Sequence, residues 1–100
     1  MPTTAIKLVT IIAEDVLKEQ LTNDIKRLGG RGYTLVAVSG RGTRNLSAHF
    51  EEGHLIKIET LVSAEVADQL VTHIADEYFA NYSITTYTTD VAVLRPDKFV

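Results

Sequence analysis

Apolar positions recur along this chain with two different periods. From Ala5 to Ala13 the period is that of a strand. Ile6, Leu8 and Ile12 fall on one face, and Val9 and Ile11 on the other. Apolar residues on both faces predict that both are covered. Helices supply one cover, and a second subunit is the candidate for the other. From Asp15 to Leu28 the period lengthens to that of a helix. Val16 and Leu17 open its apolar set, and Leu17, Leu21, Ile25 and Leu28 form one stripe while Lys18, Glu19, Asn23, Asp24 and Lys26 fall mostly off it. Asp15 suits the positive start of that helix, and Gly29 and Gly30 suit its end. Tyr33 to Ser39 returns to the strand period. His54 to Val62 follows it, with Ile56 and Ile58 opposite Lys57 and Glu59, whose face Leu55 and Leu61 share. Ser63 then stands where a helix N-cap belongs. Ala64 to Ala80 carries a broad stripe of Val66, Leu70, Val71, Ile74, Ala75 and Tyr78, with Phe79 at its edge. After the turn Asn81, Tyr82, Ser83, the β-prone run Ile84 to Leu94 is the last strand. Arg95 and Pro96 stop it, and Asp97 to Val100 form a short tail.

The predicted order is strand, helix, strand, strand, helix, strand. That is the α+β ferredoxin-like βαββαβ pattern, a four-stranded antiparallel sheet with two helices on one face, in a single domain over residues 1–100. Such a sheet with apolar residues on its open face is expected to oligomerise, because exposed apolar surface is costly. The fold by itself assigns no function.

Candidate chemistry concentrates where the second strand breaks. Gly40, Arg41, Gly42, Thr43, Arg44 and Asn45 place two glycines, two arginines, a hydroxyl and an amide within six consecutive positions. Glycine lets a backbone approach a ligand closely. Arginine offers a planar fork of donors suited to phosphate or carboxylate. Two readings stand side by side: an anion site, or a plain hairpin turn with solvated arginines. Composition does not separate them. The loop runs on to Gly53, polar but for Leu46 and Phe50, and its length is near the limit for a loop without a function or disorder.

Composition narrows the classes. A net charge of −3, with no basic stripe outside residues 41–44, disfavours nucleic acid. With no cysteine, disulfides, thiolate metal sites and a cysteine nucleophile are excluded. Met1 to Thr4 lack the basic and apolar regions of a signal peptide, and no apolar run approaches a membrane span. A cytoplasmic home is compatible with this. His49 and His54 flank Glu51 and Glu52 without the helical spacing or cysteines of a metal site, so no metal is expected. His73 reads as a surface or interface residue. Lys57 and Glu59 read as an ion pair between subunits, and Tyr78, Phe79, Tyr82 and Tyr87 as core or interface. Tyr78 is the titratable group nearest a helix stripe and has no evident catalytic partner in the sequence.

The run Gly32-Tyr33-Thr34 followed by Gly40-Arg41-Gly42-Thr43-Arg44-Asn45, and the closing Val93-Leu94-Arg95-Pro96-Asp97-Lys98-Phe99, resembles the PII-like signalling proteins. The similarity is to the bicarbonate-transporter-regulating type and to the carboxysome-associated type, and it covers almost the whole chain. It implies a non-enzymatic homotrimer that binds adenine nucleotides between subunits. AMP or ADP are the implied ligands, with cyclic AMP or ATP and a bicarbonate co-ligand also in view, and no cofactor. It implies a loop over residues 40–53, the T-loop of that family, that changes shape and reports to a bicarbonate transporter or a carboxysome-related protein in inorganic-carbon acquisition. On this resemblance Thr34, Gly40, Arg41, Gly42, Thr43, Arg44 and Asn45 are the nucleotide residues, and Arg95, with Lys98, closes the cleft from the last strand. The family's glycine- and lysine-rich triphosphate loop after the second helix is replaced here by Asn81-Tyr82-Ser83-Ile84, which favours a mono- or diphosphate. A cysteine-bearing redox extension and a modifiable T-loop tyrosine have no counterpart. The competing classes are a small dimeric ferredoxin-like enzyme of the monooxygenase or isomerase type, and a trimeric divalent-cation-tolerance protein.

Overall fold

Strand and helix periods translate directly into layers in the computed structural model, which describes residues 2–40 and 54–100. The strands are β1 (Thr4–Glu14), β2 (Thr34–Val38), β3 (Leu55–Val62) and β4 (Thr85–Val93), and the helices are α1 (Lys18–Arg27) and α2 (Ala64–Tyr78). They form one sheet in the order β2-β3-β1-β4. Every pairing is antiparallel. The βαββαβ reading therefore holds, with strand ends within a residue of those expected. Loop residues 41–53, which include Arg41, Gly42, Thr43, Arg44, Asn45, His49 and Phe50, lie outside the described residues.

Register divides the sheet into two faces. Val9 pairs with Thr60 and Thr88, and Ile11 with Ile58 and Thr86. Ile58 pairs in turn with Leu35. This face meets the helices. Val9, Ile11, Ala13, Ile58 and Val62 are fully buried against Leu17, Leu21, Ile25, Ala67, Leu70, Ile74 and Tyr78. The opposite face carries Ile6, Leu8, Thr10 and Ile12 of β1, flanked by Val36, Val38 and Leu61 on one side and Tyr87 and Val91 on the other.

Helix ends follow the expected chemistry, with shifts of a turn. The start of α1 is a 3-10 turn over Asp15–Leu17, which leaves Val16 exposed and aims Leu17 into the core. At its end the Gly30 N–H donates to the Ile25 carbonyl and the Gly29 N–H to the Lys26 carbonyl. Gly29 has φ +115°, so this is a Schellman ending that an L side chain would strain. A Cβ on Gly30 would lie 2.5 Å from Ile25 Cγ2, so the chain turns there only because no side chain intervenes. Ser63 caps α2, its Oγ accepting from the Val66 N–H at 3.2 Å. The chain end, where Asp97 to Val100 were expected as a plain tail, forms a 3-10 turn over Pro96–Lys98.

Candidate functional site

The linker between α1 and β2 is fixed from below and leads to a groove. Buried Thr60 on β3 donates its hydroxyl to the Gly32 carbonyl at 2.6 Å, which pins the linker one residue before Tyr33. Thr34 then pairs with Glu59. On the open face beside this pair lies a groove of about 360 Å³, lined by Leu8, Arg31, Gly32, Tyr33, Thr34, Glu59, Leu61, Lys98 and Phe99. Its size is at the lower end of small-molecule sites. Apolar walls, a threonine hydroxyl, one carboxylate and two cations give it the means to seat a flat or apolar group beside an anion. The C-terminal turn forms one rim, because the Arg31 Nη1 donates to the Asp97 carbonyl at 3.0 Å.

The residues expected at the site do not all meet. Thr34 is in the groove. Arg95 is exposed at the start of the C-terminal turn, and its carbonyl accepts from the Lys98 N–H. Gly40 stands beyond the far end of β2, 4.0 Å from Leu55 Cδ1 by its missing Cβ. It is six positions along the chain from Thr34, about 20 Å at the rise of a strand. Arg41, Gly42, Thr43, Arg44 and Asn45 follow Gly40 outside the described residues. Among the described residues, Thr34 and Gly40 thus stand at opposite ends of β2. Arg31, Glu59, Leu61 and Phe99 were not expected as lining. The alternation of Glu59 and Leu61 with buried Ile58 and Thr60 was the available signal, but it needed the register with Thr34 to have meaning.

A second cluster lies on the helix side. Tyr78 Oη donates to Asp24 Oδ2 at 2.5 Å, and His73 Nε2 lies 3.1 Å from the same oxygen. Arg27 Nη2 reaches Asp24 Oδ1 at 3.2 Å. Asp24, His73 and Tyr78 border a cleft of about 350 Å³ with Gln20, Glu77, Asn81 and Tyr82. Asn81 and Tyr82, which occupy the place of the triphosphate loop, thus face the gap between the helices. Burial, then the bond to Asp24, pushes the Tyr78 phenol above its ordinary range. Tyr78, read as core or interface, and His73, read as a surface or interface residue, converge on Asp24 between the two helices. A phenol held neutral against a carboxylate is a poor base, and the cluster joins α1 to α2. Among the described residues no group of three or more His, Asp or Glu is placed to hold a metal. No helix among them is long and apolar enough to cross a membrane.

Comparison with known proteins places this architecture. The nitrogen regulatory protein P-II family matches residues 6–98. A protein of Thermus thermophilus described as a PII-like signalling protein is 40% identical, with 100% of each chain covered and a TM-score of 0.86. CPII of Thiomonas intermedia, in a structure bound to ADP and bicarbonate, is 31% identical over 99% of this chain and 98% of its own, with a TM-score of 0.86. Another structure of CPII is bound to ADP, AMP and acetate. P-II proteins are regulators rather than enzymes, which sets aside the monooxygenase and isomerase alternative. With nearly its whole length matched by the family, the chain belongs to the P-II proteins, within their PII-like branch.

Proposed function

We propose that this protein is a trimeric adenine-nucleotide sensor. Its site forms where the Thr34 groove of one subunit meets the Gly40–Asn45 loop of its neighbour. The observation that carries the reading is that Thr34, in the groove at one end of β2, and Gly40, beyond its other end, stand too far apart to share one ligand within a chain. Neither half is sufficient. The groove has apolar walls and a hydroxyl for a base and ribose, and the loop has the arginines and glycines for phosphate. Arg41 and Arg44 meet the phosphates, Gly40 and Gly42 admit the backbone close to them, and Thr43 and Asn45 hold ribose or fix the loop. The open sheet face supplies the surface on which subunits pack, because Val36 and Tyr87 there are exposed and Leu8 and Ile12 are only partly covered by their own chain. CPII, bound to ADP with AMP or bicarbonate, supports ADP or AMP as ligand and bicarbonate as co-ligand.

The signal passes by population shift. Charge-assisted hydrogen bonds to phosphate contribute roughly 1.5–3 kcal/mol each, enough to favour one arrangement of the 40–53 loop over others. That loop then presents or withdraws a surface for a partner in inorganic-carbon acquisition, a bicarbonate transporter or a carboxysome-related protein, in the cytoplasm. Isothermal titration with AMP, ADP, ATP and cyclic AMP, with and without bicarbonate, tests the reading. ADP or AMP should bind, bicarbonate should alter the affinity, and Arg44→Ala and Thr34→Val should each weaken binding. Absence of binding by all four nucleotides would sink the assignment.

A further inference from the structure

Two opposite charges stand on the open face of the sheet without a partner. The register sets Lys57 between Ile12 of β1 and Val36 of β2, and Glu59 between Thr10 and Thr34. β3 is an inner strand, so both charges rise from within the face rather than from its edge. Both residues are half-buried. Among the described residues neither side chain makes a hydrogen bond or an ion pair. They are two positions apart, about 7 Å along a strand, and they do not pair with each other. Lys7, by contrast, pairs with Asp90 across β1 and β4. A charge left in water needs no partner. Covered by another subunit it loses hydration, and an unpaired buried charge is strongly unfavourable. Glu59 has a second position as well, because it lines the groove beside Thr34. A bare carboxylate there opposes an anionic ligand.

We propose that Lys57 of each subunit pairs with Glu59 of the next, so that three pairs close the ring and each groove takes a neutralising cation from the adjacent copy. The inference rests on the trimeric nucleotide-sensor reading, and it names the contact that fixes the assembly and completes the site. The patch carries both signs, so a head-to-tail arrangement of identical copies sets lysine against glutamate at every interface. A closed ring uses each charge once and leaves none unpaired. The same contact removes the repulsion between Glu59 and a phosphate-bearing ligand. Nucleotide affinity therefore depends on the neighbour through Lys57 as well as through the 40–45 loop.

Analytical ultracentrifugation of the full-length protein over a dilution series, with circular dichroism to follow the fold, tests the pairing. The wild type should sediment as a trimer. Lys57→Glu and Glu59→Lys each set like charges against one another, and each should raise the concentration of half-dissociation by about 100-fold or more. The double variant, Lys57→Glu with Glu59→Lys, reverses both signs and restores every pair. It should assemble to within about ten-fold of the wild type. Titration with ADP gives the second readout. Lys57→Met, held at a concentration where it is trimeric, should bind ADP about ten-fold more weakly than the wild type. A double variant as dissociated as either single one would mean that this face rejects any altered charge, and it overturns the pair. Wild-type assembly by Lys57→Glu does the same. Unchanged ADP affinity in trimeric Lys57→Met overturns the part that Lys57 plays in the groove. A wild type that is not a trimer overturns the trimeric reading and the ring with it, whereas wild-type trimers that bind no ADP overturn the nucleotide reading alone.

Discussion

The two faces of this sheet are built from similar residues and have different fates. On the helix face of β1, Val9, Ile11 and Ala13 are fully buried. On the open face of the same strand, Leu8 and Ile12 are only partly covered, while Tyr87 of the neighbouring strand is 47% exposed. Hydropathy alone does not distinguish Ile11 from Ile12. What differs is the partner. The stripe Leu17, Leu21, Ile25 on α1 and Leu70, Ile74, Tyr78 on α2 closes the first face within the chain. The second is left open in the single chain, and on the proposed reading it serves assembly, with the groove at its margin serving sensing.

The sharpest way to break that comparison is to damage each face in turn. Ile11→Ala removes a fully buried side chain from the closed face. It should destabilise the protein by about 2–5 kcal/mol, read as a lower denaturation midpoint in urea. Tyr87→Glu changes the open face. On the protomer it should cost within about 0.5 kcal/mol, because the position is half exposed. Assembly should suffer instead, since three subunits would have to bury an added charge. Light scattering should find trimers for the wild type and smaller species for Tyr87→Glu, with the circular dichroism of the fold retained. Equal mass for the two would remove the open face from the assembly.

How far this division could be read beforehand depends on sequence distance. The stripe on α1, the Ser63 cap and the Gly29–Gly30 stop involve residues a turn or two apart, and they were legible. So was the two-sided apolar character of β1. The Asp24 cluster was not, because Tyr78 and Asp24 are 54 positions apart and sit on different helices. Tyr78 was seen as a core aromatic, but the partner that keeps its phenol protonated could not be named without the packing of α1 on α2. The groove failed for a related reason: Thr34 was expected, while Glu59 and Leu61 needed the β2–β3 register, and Phe99 needed the path of the C-terminal turn. The loop arginines Arg41 and Arg44 were singled out by composition and family likeness, and their part in the site rests on the proposed neighbour.

The interhelical cluster gives the smallest effect and a distinctive pH signature. Tyr78→Phe removes the hydroxyl that donates to Asp24, while His73 and Arg27 still face that carboxylate. The loss at neutral pH should be about 1 kcal/mol. The sign of the pH dependence follows from the protonated phenol being favoured in the fold. The unfolded chain releases this proton near the ordinary tyrosine value of about 10, and the folded chain holds it to higher pH. The unfolded state therefore binds fewer protons in that interval, and wild-type stability falls as pH rises above about 10. Tyr78→Phe lacks this term, so its deficit should be constant below pH 10 and shrink above it. Urea midpoints of the two proteins measured in parallel between pH 7 and 11 decide the matter. A gap that stays constant through pH 11 would mean that the phenol ionises as readily in the fold as in the unfolded chain, and that Asp24 joins the helices through His73 and Arg27 alone.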